Sequence, residues 1–432
     1  MSNATIAEAA PAAKPRSRLR WVALTLCAAT MFVEGYDAQL MGYVVPGIAR
    51  DWGVAPGSLT FAIAAGLVGM MLGGFLIAPL ADSYGRRRVV LYSVIAFAIL
   101  TIATAFVETL PALIVLRLLT GIGLGGAMPN AIAITAEFSP DATRASAVAA
   151  MFSSYSIGAG FGGIIAAWLI PSYGWGSVLI FCGGMALLLW PVLVVAMPES
   201  YVPQGESKPK IPVGRLFSEG RAWITILIWI IPVGRLFSEG RARITILLWI
   251  IFFAGLMEIF FLTSWLPTTI GAQGVSESYA VIATAMVQFA GVAAAFAMGP
   301  LVDRYGPQRV LPVAFIIAAL CIAGIGLAGS AVAFTMVMAF GIGIGTVGAQ
   351  NCNNGVAAKF YPTSIRATGV GWALAVGRIG SIVGPVVGGI LLSTHVDIRT
   401  IFLFAAIPPL VATGAYLAMG RSLELHPEAL KD

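Results

Sequence analysis

Apolar stretches of about 20 residues, separated by short polar loops, follow one another along most of the chain. A helix of about 20 apolar residues is long enough to cross the hydrocarbon core of a bilayer. The pattern therefore predicts an all-α membrane protein. Twelve spans are predicted, near residues 21–45, 59–80, 89–107, 111–135, 146–170, 175–197, 244–269, 279–301, 309–328, 331–356, 367–392 and 399–419.

Composition agrees with a membrane-spanning chain. Hydrophobic residues make up 59% of the 432 positions and charged residues 10%, against roughly 25% charged in an average soluble domain. The 4 cysteines fall within predicted spans, where they are expected to pack as small apolar side chains, with no disulfide and no metal site. No cofactor is expected. Neither a nucleophile–base pair nor a metal-ligand set is evident, so the sequence does not predict an enzyme.

The placement of Lys and Arg predicts the orientation of the chain. These residues concentrate in the two tails and in alternate loops, which places both termini in the cytoplasm by the positive-inside rule. The net charge of +6 follows from this topology, so no nucleic-acid partner is implied. The predicted regions are a tail at 1–20, a six-helix bundle at 21–197, a central loop at 198–243, a second six-helix bundle at 244–420 and a tail at 421–432.

A charged loop occurs twice in the chain. Pro79–Val89 returns as Pro300–Val310, an offset of 221 residues (300 minus 79), with seven of eleven positions identical. A second pair of similar loops lies at 136–145 and 358–367. Repeated halves in a membrane chain are typical of transporters, in which the substrate site lies between the halves.

A younger repeat lies in the loop between the halves. Residues 211–230 and 231–250 agree at 18 of 20 positions. The apolar run of the first copy is too short to cross a bilayer, and a thirteenth span would invert the second half. We therefore expect the first copy to form a cytoplasmic stub that lies in the membrane interface.

Charged residues inside the spans are the main functional evidence, because each is costly in a bilayer unless it is paired. The chain has five, at Glu34, Asp37, Arg117, Glu258 and Arg378. Adding the offset of 221 to 37 gives 258, so two carboxylates occupy equivalent places in the two halves. Buried carboxyls of this kind suit a proton carrier. The two arginines have no charged counterparts, since Met338 and Ser156 stand at the matching positions.

Arg378 is the candidate for recognition of an anionic substrate. Gly377 and Gly380 flank it on span eleven, and a buried guanidinium can bind a carboxylate with two parallel hydrogen bonds. A purely structural pairing of Arg378 with Glu258 or Glu34 is the alternative. Further candidates are polar residues of span ten and aromatic residues near the expected cavity, where helix–helix contact is the alternative role: Gln350, Asn351, Asn354, Tyr36 and Trp372.

The doubled loop resembles the cytoplasmic loop signature G-x-x-x-D-x-x-G-R-[KR] of the major facilitator superfamily. It reads here as Gly74, Asp82, Gly85, Arg86 and Arg87. Glycine supplies the positive φ that so tight a connection needs. The resemblance implies a conformational gate that latches the inward-closed state, although the arginines alone also satisfy the positive-inside rule. The predicted gate residues are Asp82, Gly85, Arg86, Asp303, Gly306, Arg309, Glu137, Arg144 and Arg366.

Span four carries Arg117 followed by glycines, which resembles the R-x-x-x-G-x-G motif of proton-coupled porters in that superfamily. In such relatives a span-one aspartate pairs with this arginine. Carried onto this chain, the resemblance pairs Asp37 with Arg117, so that protonation of Asp37 frees the halves to rock. A permanent structural salt bridge is the alternative.

The run Glu34-Gly35-Tyr36-Asp37 is similar to the D-G-[FY]-D motif of the bacterial aromatic acid:proton symporter family, with Glu in place of the first Asp. That resemblance implies uptake of benzoate-like or hydroxybenzoate-like anions with a proton, by a monomer in the inner membrane. A sugar or other organic-anion symporter is the alternative, as is a non-transporting sensor of aromatic acids. The P-E-S-P-R-W-L run of sugar symporters is only partly present, since Pro198-Glu-Ser continues as Tyr-Val-Pro.

Overall fold

The computed structural model describes residues 17–77, 80–140, 144–199, 236–238, 241–361, 366–394 and 396–425. Within these ranges the chain is helical apart from turns and short connections, and no strand is present. The first half contains α1 (Ser17–Trp52), α2 (Thr60–Leu76), the short α3 (Ala81–Tyr84), α4 (Arg86–Thr104), α5 (Leu110–Glu137), α6 (Arg144–Tyr173) and α7 (Gly176–Ala196). A short 3-10 helix, Pro56–Leu59, precedes α2.

The second half repeats this series of helices. It contains α8 (Ala242–Gly271), α9 (Glu277–Tyr305), α10 (Pro307–Ala328), α11 (Val332–Gly343), α12 (Ala349–Phe360), α13 (Arg366–Ser393), α14 (Ile398–Ala405) and α15 (Ile407–Leu425). One π-helical turn, Ile344–Gly348, joins α11 to α12 within a single span. A break at Ala406 separates α14 from α15. The first copy of the tandem repeat, 211–230, and most of the central loop lie outside the described residues.

Eleven helical segments of the described chain are long and apolar enough to cross a membrane. The first helix, α1, is longer than any of them at 36 residues, but it carries Glu34 and Asp37 near its middle. The chain is therefore a multi-pass membrane protein, and the predicted all-helical fold is confirmed. The observed bounds differ most from the prediction at the end of α1, which continues past Pro46 to Trp52.

The helices of the two halves pack in the same pattern. In the first half α1 packs on α6, α2 on α5, and α4 on both α5 and α7; in the second half α8 packs on α13, α9 on α11, and α10 on both α11 and α15. Each pair in one half thus matches the pair at the corresponding span positions in the other. Equivalent residues consequently face equivalent neighbours, as the offset of the doubled loop predicts.

The halves meet along three helix pairs, α1 with α8, α6 with α9, and α2 with α13. The backbone of α8 approaches α1 so closely at Gly42 that a Cβ there would collide with the carbonyl oxygen of Thr263. At the end of α1, the Arg50 Nη2 atom lies 2.8 Å from the Glu277 Oε2 atom of α9. The sequence predicts that this end faces outward.

The glycines of the doubled loop have the expected backbone conformation. Gly85 has a φ of 88° and Gly306 a φ of 84°, values that side-chain-bearing residues rarely adopt. Each glycine connects two helices directly, α3 to α4 and α9 to α10. The predicted need for glycine at these two positions is confirmed.

Candidate functional site

Asp37 and Arg117 lie together in the interior of the first half. The Arg117 Nη1 atom is 3.6 Å from the Asp37 Oδ2 atom, and each residue is only 3% exposed. Thr101 of α4 donates a 2.6 Å hydrogen bond to Asp37 Oδ1. The second guanidinium nitrogen, Nη2, donates to Thr104 Oγ1 at 3.2 Å. Three helices, α1, α4 and α5, therefore hold this charge pair in place.

A small cavity lies beside the pair and reaches the second half. Its volume is about 30 Å³, enough for one or two water molecules but too small for an aromatic acid. Its wall includes Asp37 and Arg117 from the first half, with Phe260 and Ser264 of α8 from the second. The charge pair is thus adjacent to the surface along which the halves meet.

Glu34 lies one helical turn before Asp37 and is fully buried. Neither of its carboxyl oxygens has a hydrogen-bond partner in the described chain. Arg378 of α13 and Asp37 are the charged groups that act on it electrostatically. Tyr155 of α6 lies within the electrostatic reach of Arg378, Glu34 and Asp37. The structure therefore brings Glu34 and Arg378 near each other from opposite halves.

Arg378 is half-buried and makes a polar contact with the first half. Its Nη2 atom lies 3.4 Å from the Met128 Sδ atom of α5, which is a weak acceptor. Among the described residues it forms no ion pair. A guanidinium in this setting keeps most of its donors available for another acceptor.

Glu258 is also buried, at 1% exposed, but its surroundings differ from those of Asp37. Its two carboxyl oxygens lack a hydrogen-bond partner in the described chain, and burial is the single influence on its ionisation. The suggested pairing of Arg378 with Glu258 is therefore absent here. Adding the offset of 221 to the partners of Asp37 gives apolar residues in every case: Ile322 for Thr101, Ile325 for Thr104 and Met338 for Arg117.

The polar residues of span ten form a network within the second half. Tyr416 of α15 donates a 2.5 Å hydrogen bond to Asn353 Oδ1, and Asn353 Nδ2 donates to Gln350 Oε1 at 3.1 Å. Asn353 is fully buried, whereas Asn351 and Asn354 are half-buried. Asn354 Oδ1 has no partner in the described chain. Gln350 thus acts as contact between helices, and Asn354 keeps a free acceptor.

The two predicted aromatic binding residues lie away from Arg378. Tyr36 is fully buried, packs its ring at 6.5 Å and 6.4 Å from those of Phe161 and Phe181, and donates to the carbonyl of Val178 at 3.4 Å. Trp372 stacks on Trp249 with ring centroids 5.8 Å apart. Both rings are engaged in packing within one half in this conformation.

The predicted gate is partly described. Arg86 at the start of α4 forms an ion pair with Glu137 at the end of α5. Its neighbour Arg87 donates to Glu199 Oε1 at 2.9 Å and to the Val194 carbonyl at 2.5 Å, beyond and within the end of α7. These arginines therefore bind the ends of neighbouring helices in the first half.

The remaining gate predictions are less well defined. Asp303 lies near the end of α9 and Arg309 in the first turn of α10, and both are exposed. The side chains of three more gate residues, Asp82, Arg144 and Arg366, lie outside the described part of the chain. In the described residues, no group of three His, Cys, Asp or Glu side chains could hold a metal ion.

A family model settles the class of protein. The model of the Major Facilitator Superfamily matches residues 27–374 and 248–429, which together cover nearly the whole chain. The chain belongs to the major facilitator superfamily. The resemblance carried by the doubled loop is thereby confirmed at superfamily level.

Relatives within the superfamily are transport proteins for aromatic acids. The chain is 34% identical to the gallate transporter of Pseudomonas putida, covering 95% of this chain and 94% of the relative. It is 34% identical to the 4-hydroxybenzoate transporter PcaK of Acinetobacter baylyi, covering 96% and 94%. The benzoate transport protein of Acinetobacter baylyi is 29% identical, covering 95% and 91%.

Solved major facilitator structures have the same fold. A bacterial homolog of the human lysosomal transporter Spinster, inward-facing and unoccupied, aligns with a TM-score of 0.69 at 19% identity, covering 95% of this chain and 98% of that one. The xylose transporter XylE from E. coli aligns with a TM-score of 0.68 at 16% identity, covering 92% and 97%. At such low identity these structures support the fold alone.

Sequence reasoning missed several residues around the charges. Thr101, Thr104 and Cys182, whose Sγ atom is 4.0 Å from Asp37 Oδ1, were not predicted as site residues. The threonines are three residues apart on α4, so they share a helix face, and polar side chains at membrane depth face the protein interior. That spacing was the available signal. Met128 gave no signal, because a methionine in a span is ordinary packing.

Proposed function

We propose that this protein carries aromatic carboxylates into the cell together with a proton, by alternating access across the bacterial inner membrane. Relatives at 34% identity over nearly their full length are named as gallate and 4-hydroxybenzoate transporters, which supports the substrate class. Transport rather than catalysis is the activity that the superfamily supports. We expect a monomer, with both termini in the cytoplasm.

The buried pair of Asp37 and Arg117 is the observation that carries the proton coupling. An ion pair at 3% exposure is stable only while both partners are charged. Protonation of Asp37 removes one charge and leaves Arg117 held by Thr104 alone. Because the adjacent cavity reaches α8, that change acts where the halves meet.

Arg378 is the proposed binding group for the substrate carboxylate. It lies on α13, touches α5 of the other half through Met128, and has no carboxylate partner in the described residues. A substrate anion bound here would contact both halves. The polar acceptor Asn354 Oδ1 is a second candidate contact, suited to a phenolic hydroxyl donor.

In the proposed cycle, the outward-open protein takes up a proton and an aromatic anion, rocks inward and releases both. The doubled loop, with Arg86 and Glu137 paired at its first copy, is proposed to latch the inward-closed state. The described contact at the outer ends, Arg50 with Glu277, belongs to the opposite, outward-closed state. Two ion-pair sets at opposite ends of the helices therefore suit alternating access.

The function is tested by uptake into proteoliposomes that contain the purified protein. A panel of labelled benzoate, 4-hydroxybenzoate, gallate and xylose is offered under an imposed inward proton gradient, with and without a protonophore. We expect the aromatic acids to accumulate and the protonophore to abolish accumulation. Accumulation of xylose alone would favour a sugar symporter. Binding of an aromatic acid without any uptake would favour a sensor.

Arg378→Lys tests the binding group. Lysine keeps the charge but lacks the planar fork that binds a carboxylate bidentately, so we expect the apparent affinity for 4-hydroxybenzoate to fall at least tenfold, the equivalent of about 1.4 kcal/mol. Arg399→Lys, at an exposed position near the predicted outer surface, is the matched control. Equal affinities of the two variants would remove Arg378 from the site.

A further inference from the structure

The unusual feature of Glu34 is that a fully buried carboxyl accepts no hydrogen bond. It is 0% exposed, and both oxygens are without a partner in the described chain. A carboxylate in such a position is stable only if an opposite charge acts on it or if it takes up a proton. The state of Glu34 therefore depends on the charges around it.

The groups that face Glu34 come from three helices. Asp37 lies on α1 itself, Tyr155 lies on α6, and Arg378 lies on α13 of the other half. Arg378 is the one cation among these groups. Asp37 is already engaged by Arg117 at 3.6 Å and by Thr101 at 2.6 Å. Glu34 and Arg378 are thus the two charges of the cluster that the described contacts leave without an ionic partner.

Arg378 can serve only one anion fully. When no substrate is bound, its positive charge stabilises the ionised form of Glu34 across the interface of the halves. A substrate carboxylate that binds the guanidinium neutralises that charge. Glu34 then remains buried without a counter-charge, and the protonated form becomes the stable one.

Resting on the proposed function, we propose that Glu34 is the group that binds the transported proton when the substrate carboxylate occupies Arg378. The substrate and the proton thus favour each other's binding although they do not touch. Because binding couplings are reciprocal, protonation of Glu34 strengthens substrate binding by the same factor. Asp37 and Arg117 would then respond to the loaded state and would not be the first proton acceptors.

Calorimetry on the purified full-length protein tests this proposal. Benzoate and 4-hydroxybenzoate are titrated into wild type between about pH 6 and 8, where their carboxyl groups stay ionised. Repeating each titration in two buffers of different ionisation enthalpy gives the number of protons taken up per anion bound. The variants are Glu34→Gln, which cannot exchange a proton, and Glu34→Asp, which can. Asp37→Asn is measured alongside, and thermal melting in detergent checks that each variant is folded.

We expect wild type to take up close to one proton per anion, with Kd rising by up to about tenfold per pH unit, the limit for one linked proton. Glu34→Gln should bind the anion with no proton uptake and with a Kd that does not change with pH. Glu34→Asp should keep the uptake. If Glu34→Gln is unstable, persistence of uptake in Glu34→Asp and in Asp37→Asn still supports the assignment.

Three results would overturn the proposal. Wild type might bind the anion without proton uptake, Glu34→Gln might take up as many protons as wild type, or uptake might be lost in Asp37→Asn and kept in Glu34→Gln. In each case the anion still binds, so the proposed function survives. Failure of wild type to bind any aromatic carboxylate would instead overturn the proposed function, and this inference with it.

Discussion

Asp37 and Glu258 occupy equivalent positions in the two halves, 221 residues apart, and both are almost fully buried. Asp37 is held by an arginine and a threonine, whereas Glu258 has no hydrogen-bond partner in the described chain. The helices around them pack in the same pattern. The difference lies in the side chains that the neighbouring helices contribute.

This contrast separates two consequences of burying a carboxyl. A carboxylate with a fixed cation and a hydroxyl donor can stay charged, and protonating it changes the force between two helices. A carboxyl among apolar residues is stable only in its neutral form, so it has no charge to give up. A duplicated scaffold therefore need not use its two equivalent carboxyls in the same way, and here the coupling is expected on the side of Asp37.

The largest expected effect comes from Asp37→Asn. It leaves Arg117 buried without its anionic partner, which typically costs about 3–5 kcal/mol. We expect a large fall in the melting temperature in detergent and loss of proton-driven accumulation of 4-hydroxybenzoate. Asp51→Asn is the matched control, because Asp51 accepts a 2.9 Å hydrogen bond from Trp175 at the end of α1, away from the pair. Accumulation by Asp37→Asn at the wild-type level would rule out the proton-coupling role of the pair.

A smaller effect is expected from Thr101→Val, which keeps the shape of the side chain and removes its hydroxyl. The hydrogen bond lost is 2.6 Å long and reaches a carboxylate, so its removal should cost about 1.5–3 kcal/mol. Thr30→Val is the control, since Thr30 donates at 2.9 Å to a backbone carbonyl of its own helix. Equal melting temperatures for the two variants would show that Thr101 does not stabilise a charged Asp37.

For Glu258 we expect a change of opposite sign. Glu258→Met has similar volume and removes a buried polar group with no partner, so it should raise stability by about 1–3 kcal/mol. Melting temperature and uptake of 4-hydroxybenzoate are measured on the same preparation. A folded Glu258→Met protein that no longer accumulates substrate would make Glu258 a second proton carrier, as its position in the sequence suggests.

Much of the fold could be predicted because it follows from local patterns. Apolar runs of the right length give the helices, and the doubled loop gives the equivalence of the halves. The kink-prone Pro46 was expected to mark the end of the first span, but α1 continues to Trp52. There Trp52 packs against Trp175, with ring centroids 6.3 Å apart, a tertiary contact that no local pattern encodes.

The site was harder to predict than the fold. The proximity of Asp37 and Arg117 came from a family resemblance, since nothing in the spacing alone pairs them. Which face of a helix carries Asn353 or Arg378 depends on helix rotation, and the π-helical turn Ile344–Gly348 shifts that rotation in span ten. The run at 350–354 is consequently divided between a packed network and a free acceptor.

The smallest effect on stability is expected at the exposed counterpart of the buried pair. Arg50 and Glu277 also join oppositely charged side chains, at 2.8 Å, but they are 64% and 25% exposed. Water and salt screen such a pair, which is typically worth about 0–1 kcal/mol, so Arg50→Gln should barely change the melting temperature. Because the pair connects α1 to α9 across the halves, its removal should still change the rate of uptake.

The exchanged double variant, Arg50→Glu with Glu277→Arg, restores the attraction and should restore the wild-type rate at low salt. In high salt all three proteins should transport alike, since the screening length falls to about 3 Å at 1 M. A rate that is insensitive to both the variant and the salt would show that the pair is incidental. The exposed pair would then differ from Asp37 and Arg117 in function as well as in strength, because only burial makes a single charge change large enough to move the halves.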